Sequence, residues 1–392
     1  MPSDFRANKI EIVIKISKYC NLRCSYCYEF PYLGDRATMS LANLRRLFEN
    51  LCIFVKPEFP ELAEGEDHFS FIWHGGEPFM QPLSYYDQIG ALQQALIPKS
   101  IRFHNSVQTN LTILSEPHIR HLAERRFFAD LGFSFDVYGD QRCDVAGRQT
   151  TAKVLRNLEK LRQNEIETAA IAVLSRSTFP HITNIFRFFE SIDMSFRILP
   201  YHIQTVEGQT AANGLTPTEI SNAMCEVFDL WLFTESEIFV SPLDLYLSSA
   251  VYYLNSVKDI FYEQFLDESV FIVETNGEVY GYESYGGPIS YGNLFDQTFE
   301  QILKSENRRI LADRADRRME QYCSGCKYFG ACSGHPVAVA NPLEEKWLAE
   351  SGCYVARIIS HIADRLVENG LGSSGLVARP ARTPNTMTAG HT

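Results

Sequence analysis

The sequence predicts an α/β fold in which a parallel sheet, open or curled into a barrel, is covered by helices. Short β-rich runs alternate with amphipathic stretches that carry apolar residues at helical spacing, such as AKVLRNLEKLRQN. Repeated β-then-α units imply parallel strands. Strand-like runs occur in the first half of the chain at residues 10–16, 69–73, 101–107, 133–137, 168–174 and 195–201.

Composition and charge narrow the possible functions. The chain has 392 residues, 45% of them hydrophobic and 21% charged, which suffices for a large core. Its net charge of -12 argues against a general nucleic-acid or membrane-surface binder, which needs basic patches. No apolar run reaches the ~18 residues of a membrane-spanning helix. The N-terminus lacks the apolar stretch of a signal peptide, so we expect a cytoplasmic protein without membrane or nucleic-acid partners.

The pattern changes after residue 205, and the chain divides into four parts. Residues 1–205 hold the β/α units, and residues 206–270 form a helical region that is expected to bridge to the rest or contact substrate. Residues 271–370 hold a hairpin, predicted from the Asn276-Gly277 turn, and a cysteine-rich segment. The Gly-, Ser- and Pro-rich tail at 371–392 is expected to be disordered.

Three cysteines, Cys20, Cys24 and Cys27, directly follow the first predicted strand. Parallel α/β folds bind ligands at the carboxyl ends of their strands, so these thiols belong to the functional face. A structural zinc site has four protein ligands, whereas three close thiolates suggest a metal centre with an open coordination position. A zinc site completed by a distant residue and a group of buried thiols are the alternatives.

A glycine-rich segment, WHGGEP, follows the second predicted strand. Gly75 and Gly76 allow the backbone to approach a ligand closely, and the Glu77 carboxylate accepts hydrogen bonds of the kind an ammonium group donates. A simple turn after a strand is the alternative interpretation. The position after a strand places this segment at the same functional face as the three cysteines.

A second group of thiols lies near the C-terminus, at Cys323, Cys326, Cys332 and Cys353. Four thiolates suffice for a closed zinc or iron–sulfur site. From the spacing alone zinc is the favoured metal. The chain therefore pairs an incomplete set of three thiols with a complete set of four.

The segment CNLRCSYC resembles the signature of radical SAM enzymes. The resemblance implies a partial (β/α)6 barrel of the TIM type over residues 1–205, and a [4Fe–4S] cluster on the three cysteines whose fourth iron binds S-adenosylmethionine (SAM). Tyr26 would lie beside the adenine. The segments WHGGEP, SVQTN, SFD and DQR resemble other parts of the SAM site. They imply SAM contacts from Gly75, Gly76, Glu77, Pro78, Gln108, Ser134, Asp136 and Arg142.

The C-terminal cysteines are similar to those of the SPASM extension found on many peptide-modifying radical SAM enzymes. This resemblance implies that Cys323, Cys326, Cys332 and Cys353 hold an auxiliary [4Fe–4S] cluster. It implies only one such cluster, because Tyr282 and Pro336 occupy positions where a full SPASM domain has cysteines.

Glu283 follows the missing cysteine and is a candidate catalytic base. In sulfatase-maturating relatives an Asp at this position is thought to take a proton from the substrate. A carboxylate in a partly dry cavity has the raised pKa that a base needs. A solvent-facing hairpin carboxylate is the alternative, and Asp136 and His202 are rival candidates for proton handling.

The resemblance implies a radical SAM maturase that oxidatively crosslinks side chains of a ribosomally made precursor peptide. WHGGEP and SFDVYGDQRCDVAGR look most like maturases that join an aromatic ring to a side-chain carbon, forming a cyclophane. A flavodoxin or ferredoxin is the expected reductant. Thioether formation and formylglycine generation are the enzymatic alternatives. A zinc-bearing adaptor that binds peptides without catalysis is the alternative from a different class.

Overall fold

A ten-stranded sheet organises the protein, whose computed structural model describes residues 9–52, 67–201, 205–206, 209–210, 213–282 and 289–371. The order of its strands is β12-β11-β10-β1-β2-β3-β4-β5-β6-β9, and β7 and β8 form a separate pair. The strands are β1 (Ile10–Lys15), β2 (Phe69–His74), β3 (Phe103–Thr109), β4 (Asp130–Ser134), β5 (Thr168–Leu174), β6 (Phe196–Pro200), β7 (Thr205–Val206), β8 (Gln209–Thr210), β9 (Val240–Ser241), β10 (Val270–Val273), β11 (Glu278–Tyr280) and β12 (Gly292–Asn293).

Strands β1 to β6 pair in parallel, each with the next along the chain, which confirms the predicted α/β fold. The fourth strand differs from its predicted position at 133–137, since it begins at Asp130 and ends at Ser134. Asp136 leaves the backbone ladder, and its side chain accepts a hydrogen bond from the Val173 amide at 2.7 Å instead. The strand ends here because a side chain replaces the backbone as the partner of β5.

Thirteen α-helices occur within the described ranges. The first five follow strands of the central sheet: α1 (Leu41–Cys52), α2 (Leu83–Leu96), α3 (Glu116–Ala123), α4 (Thr151–Gln163) and α5 (Ile182–Ser191). The others are α6 (Pro217–Leu232), α7 (Leu243–Leu254), α8 (Gln264–Asp267), α9 (Phe299–Leu303), α10 (Glu306–Cys323), α11 (His335–Ala338), α12 (Pro342–Ser351) and α13 (Tyr354–Glu368). None of these described helices has the length and apolar character that a membrane crossing requires.

The two faces of the sheet have different environments. Alternate residues of a strand point to opposite faces, and Phe71 and Trp73 of β2 pack on the helices, with ring centroids 5.5 Å from Phe48 and 6.2 Å from Tyr86. Between them, Ile72 points to the opposite side and joins a separate apolar cluster with Val13. We call this second side, which also carries Glu11 and Lys15 of β1, the inner face.

The C-terminal part of the chain completes the same sheet rather than forming one of its own. β10 lies parallel to β1, with Ile12 opposite Phe271, and β11 returns antiparallel through the predicted Asn276-Gly277 turn. Gly277 has φ +89°, a conformation that favours glycine. The six predicted strands are therefore the centre of a larger sheet. The two halves of the chain are joined by backbone pairing.

Candidate active site

The loop with Cys20, Cys24 and Cys27 lies at the carboxyl end of β1, as the sequence predicts. The thiols form one small cluster together with Leu22, Leu33 and Tyr26. Backbone hydrogen bonds fix the loop: the Cys20 amide donates to the Leu33 carbonyl at 3.2 Å, and the Arg23 amide donates to the Cys143 carbonyl at 2.7 Å. The loop therefore holds its three thiols together on a defined backbone.

Because these thiols are buried, they ionise at neutral pH only when a positive centre binds them. Desolvation, followed by the charge of Glu77, raises the pKa of Cys20 to about 12. Desolvation, followed by the neighbouring Cys24, raises the pKa of Cys27 to about 11. Such thiols remain protonated at neutral pH unless a positive centre binds the thiolates, and metal binding then releases protons. The donor set fits an iron–sulfur cluster, whose ligands are cysteine thiolates.

The two glycines of WHGGEP allow this segment to dock on the cysteine loop. The Gly76 amide donates to the Ser17 carbonyl at 2.8 Å, and the Glu77 amide donates to the Tyr19 carbonyl at 2.9 Å. A Cβ on Gly76 would lie 2.2 Å from the Tyr19 carbonyl oxygen, and Gly75 has φ +128°. Only glycine fits at these positions, so the close backbone approach predicted from the sequence serves the cysteine loop itself.

Glu77 has a different environment from the one proposed for an ammonium acceptor. One carboxylate oxygen accepts hydrogen bonds from the Thr109 hydroxyl at 2.7 Å and the Phe79 amide at 2.9 Å. The other accepts from the Asn110 amide at 2.7 Å. The carboxylate, which is only 2% exposed, therefore ties the loop after β2 to the end of β3. Its contact with SAM stays a prediction.

Tyr26, Asp136 and Arg142 are brought together although they lie up to 116 residues apart in the chain. The Tyr26 hydroxyl donates to Asp136 at 2.6 Å and accepts from Arg142. Burial raises the pKa of Asp136, and the Arg142 guanidinium opposes this shift. Both Asp136 oxygens accept hydrogen bonds, from Tyr26 and Val173, so the carboxylate positions Tyr26. Its SAM contact and its role in proton handling stay predictions.

Gln108 and Ser134 lie beside this group on neighbouring strands, where the Gln108 amide donates to the Ser134 hydroxyl at 3.2 Å. The side-chain oxygen of Gln108 and the Nε of Arg142 are buried and have no hydrogen-bond partner among the described residues. Leaving such groups unpaired is costly. The site therefore offers one acceptor and one donor to a polar ligand, and the SAM contacts of these residues stay predictions.

Two residues that the sequence did not single out also belong to this end of the sheet. Asn110 donates to Asn21 at 2.9 Å and approaches the Cys20 sulfur at 3.7 Å. Lys15 is fully buried on the inner face, 3.9 Å from Glu29 and bonded to Tyr28, directly after Cys27 in the chain. The sequence signal for Lys15 was the presence of a lysine inside the apolar run IEIVIKI.

The four C-terminal cysteines line one cavity. Cys323 ends α10, Cys326 and Cys332 lie in the turn that follows, and Cys353 immediately precedes α13. The other lining residues are mostly apolar or aromatic: Tyr322, Tyr328, Phe329, Gly334, Pro336, Val337, Ala356 and Ile359. Burial raises the pKa of Cys323 to about 12 and that of Cys332 to about 11, with further contributions from neighbouring thiols. Four thiols in an apolar cavity fit a closed iron–sulfur site.

Tyr282 is placed near Arg197 and Glu344, and burial is the main cause that raises the pKa of its hydroxyl. Glu283 and the rival His202 lie outside the described residues. Their proposed roles in proton transfer stay predictions.

Comparisons with known proteins agree with this geometry. Residues 14–189 match the Radical SAM superfamily, and residues 265–327 match SPASM, an iron–sulfur cluster-binding domain. The chain is 26% identical over 340 residues to the cysteine-type anaerobic sulfatase-maturating enzyme of Clostridium perfringens, covering 83% of this chain and 88% of that protein. It is 23% identical to the serine-type anaerobic sulfatase-maturating enzyme of Bacteroides thetaiotaomicron, covering 84% of this chain and 82% of that protein.

A solved structure supports the fold. It is described as native anSMEcpe with bound AdoMet and Cp18Cys peptide, and it superposes with a TM-score of 0.66 at 20% identity, covering 92% of this chain and 97% of that one. A radical SAM domain binds a [4Fe–4S] cluster and SAM, and a SPASM domain binds an auxiliary iron–sulfur cluster. The chain therefore combines a radical SAM domain, which begins in β1 and contains the three-cysteine loop, with an iron–sulfur cluster-binding SPASM domain.

Proposed function

We propose that this radical SAM enzyme oxidises a side chain of a ribosomally made peptide by two electrons. The main observation behind the proposal is that one chain contains two thiol sites, which differ in the number of thiols and in the polarity of their surroundings. Three thiols lie beside unpaired polar atoms of Gln108 and Arg142, whereas four thiols line an apolar cavity. When bound, the first cluster and SAM supply a radical that abstracts hydrogen from a C–H bond, and the auxiliary cluster accepts an electron.

The chain's own residues bind and orient the reactants. Gln108 and Arg142 present an unpaired acceptor and donor to SAM, and Asp136 fixes the ring of Tyr26 beside it. The proton released by the oxidation needs an acceptor. Glu283 is our candidate for that role, because the two oxygens of Asp136 are already engaged by Tyr26 and Val173.

Side-chain crosslinking is the first specific reaction that we propose, with an aromatic ring joined to a side-chain carbon as a cyclophane. WHGGEP and SFDVYGDQRCDVAGR support it by their resemblance to maturases of that type. Tyr282 and Pro336, which occupy cysteine positions of a full SPASM domain, support a single auxiliary cluster. Four cysteines at the C-terminal site leave no open iron for thioether formation, which makes that alternative less favourable.

Formylglycine generation is the second candidate, and a specific observation favours it. The relatives from Clostridium perfringens and Bacteroides thetaiotaomicron are both named as sulfatase-maturating enzymes, and each matches more than four fifths of this chain. For this candidate the substrate is a cysteine or serine of a sulfatase polypeptide. A flavodoxin or ferredoxin is the proposed electron donor for either reaction.

The deciding experiment combines anaerobically reconstituted enzyme, SAM and a reductant with the short peptide encoded beside the gene. Crosslinking is expected to remove the mass of two hydrogen atoms per ring, to yield no aldehyde and to block fragmentation between the joined residues. Conversion of a cysteine to formylglycine also removes its sulfur. Conversion of a serine removes two hydrogens but yields an aldehyde that reacts with a hydrazide. An unchanged peptide, with sulfatase peptides unchanged as well, contradicts the proposal.

Metal content tests the non-enzymatic alternative. The reconstituted enzyme is expected to be brown and to bind roughly eight irons, from two four-iron clusters. A colourless protein with stoichiometric zinc at both cysteine sites identifies an adaptor instead.

A further inference from the structure

The inner face of β3 carries a row of polar side chains, of which the proposed reaction uses only Gln108. His104, Ser106 and Gln108 alternate along the strand and therefore point to the same side of the sheet. On the neighbouring strands β1, β2 and β10 the inner face is apolar at the same depth, where Val13, Ile72 and Ile272 form their own cluster. At the depth of this apolar cluster, the polar groups of β3 therefore lie beside an apolar wall.

This row ends in a hydrogen-bonded chain of three side chains. The Ser70 hydroxyl lies 2.9 Å from Nε2 of His104, and Nδ1 of His104 lies 2.8 Å from the Asp67 carboxylate. Ser70 is 0% exposed, whereas the side chains of His104 and Asp67 are 17% and 29% exposed. The chain thus leads from a fully buried hydroxyl to a carboxylate in contact with solvent.

The hydrogen bonds also define the protonation pattern of the imidazole. Asp67, as an ionised carboxylate, accepts from Nδ1–H, so Nε2 is the acceptor and the Ser70 hydroxyl donates to it. Other charged groups near the ring are Asp130 of β4, whose carboxylate lies 3.9 Å from Nε2, and Glu11 of β1, which interacts with the ring and with Arg197. The carboxylates of Asp67, Asp130 and Glu11 therefore surround the ring.

The same arrangement resembles a nucleophilic triad, but a hydroxyl with no exposed surface cannot reach a substrate bond. Proton transfer has no such requirement. The hydroxyl of Ser106 is buried and has no partner among the described residues, and neither has the side-chain oxygen of Gln108. Successive inward residues are ~6.6 Å apart along a strand, a distance that one ordered water bridges when polar partners are present.

We propose that Ser106, Ser70, His104 and Asp67 form a proton exit that leads from the neighbourhood of Gln108 to solvent at the amino ends of the strands. This inference rests on the proposed function, because a two-electron oxidation of a C–H bond releases a proton. The proton reaches Nε2 of His104 through water and the Ser70 hydroxyl, the proton on Nδ1 passes to Asp67, and Asp67 releases it to solvent. One proton has then reached solvent and no charge is left behind. His104 is neutral with its proton on Nε2, and a flip of the ring restores the starting tautomer.

Chemical rescue of His104→Ala tests this exit in the reconstituted holoenzyme. The variant is expected to form peptide product at least about tenfold more slowly, because a transfer group is removed, while 5′-deoxyadenosine formation without peptide is unchanged. Added imidazole is expected to restore most of the rate. The matched control is His68→Ala, since the His68 ring accepts from the Arg102 amide and does not contact Ser70 in the hydrogen bonds described. Equal rates for the two variants, or no rescue, overturn the inference.

A second measurement keeps the inference testable if His104→Ala fails to bind its clusters. Asp67→Asn preserves the shape of the chain but removes the terminal acceptor, so product formation is expected to slow and its solvent isotope effect to rise. A crystal structure of the holoenzyme is expected to show ordered water on Ser106. If no water is bound at Ser106, the proton exit is refuted, while the proposed function is not affected. Water on Ser106 in an enzyme that oxidises no peptide counts against the proposed function instead.

Discussion

The two cysteine sites differ in what surrounds their thiols. The loop after β1 is bordered by charged and amide side chains, among them Arg142, Glu77 and Asn110. The C-terminal cavity is lined mainly by aromatic and aliphatic residues. Polar surroundings serve a site that must bind, hold and release a charged small molecule. An apolar lining serves a site that exchanges only electrons.

The largest expected effect comes from removing a thiol of the first site. Cys24→Ala should reduce 5′-deoxyadenosine formation by more than the ~100-fold that loss of a residue supporting a ligand costs, because an iron ligand itself is lost. Cys143→Ala is the matched control, since Cys143 lies beside the loop and its thiol donates to the Arg23 carbonyl at 3.2 Å. Persistent SAM cleavage by Cys24→Ala would refute the assignment of the three-cysteine loop.

Removing a thiol of the second site should separate the two activities. Cys326→Ala is expected to leave 5′-deoxyadenosine formation within about twofold of the parent enzyme and to abolish the peptide product, because the electron acceptor is lost. Cys225→Ala, on the helix α6, is the control. Retained peptide oxidation in Cys326→Ala would show that the apolar cavity has a structural role only.

A smaller effect is expected from the polar lining of the first site. Gln108→Leu removes an acceptor and a buried donor and should weaken SAM binding by about 1–2 kcal/mol, roughly five- to thirtyfold in Kd, with the iron content unchanged. Gln163→Leu, at the end of the helix α4, is the control. Unaltered SAM affinity would show that Gln108 does not bind SAM and only stabilises the contact between β3 and β4.

The last comparison sets a glycine near the first site against one near the second, where the smallest effect is expected. Gly76→Ala places a Cβ 2.2 Å from a backbone carbonyl of the cysteine loop, so the loop must shift and first-site iron should be lost. Gly334→Ala meets the flexible Met319 sulfur at 2.9 Å, and its main cost is the left-handed backbone, about 1–2 kcal/mol of the free energy of unfolding. Thermal unfolding and iron analysis measure both. Equal iron loss in the two variants would contradict the expected difference between the sites in their tolerance of a Cβ.

Local patterns predicted the central elements well. The alternation of β-rich and amphipathic runs gave the six parallel strands, and Asn276-Gly277 gave the hairpin between β10 and β11. The short spacing of Cys20, Cys24 and Cys27 also placed them together, because residues of one tight loop cannot lie far apart. These predictions succeed because the interactions involved are close in sequence.

Interactions between distant residues were not predictable in the same way. Nothing in a single sequence indicates that Phe271 lies opposite Ile12, or that Ser70 meets His104. The sequence also did not show that the Glu77 oxygens bond to Thr109 and Asn110, which only the folded sheet brings near it. Register between strands is determined by packing of the whole sheet, which a linear pattern does not contain.

The pairing of β10 with β1 has a consequence for folding and for protein engineering. β10, one of the two neighbours of β1, follows it by more than 250 residues in the chain. This sequence separation slows folding because a very long loop must close first. Until then the edge of β1 presents unpaired backbone groups, which invite association with other chains. A fragment cut after residue 205 would keep that edge open permanently. The two iron-binding halves are consequently best produced, swapped or shortened as one unit.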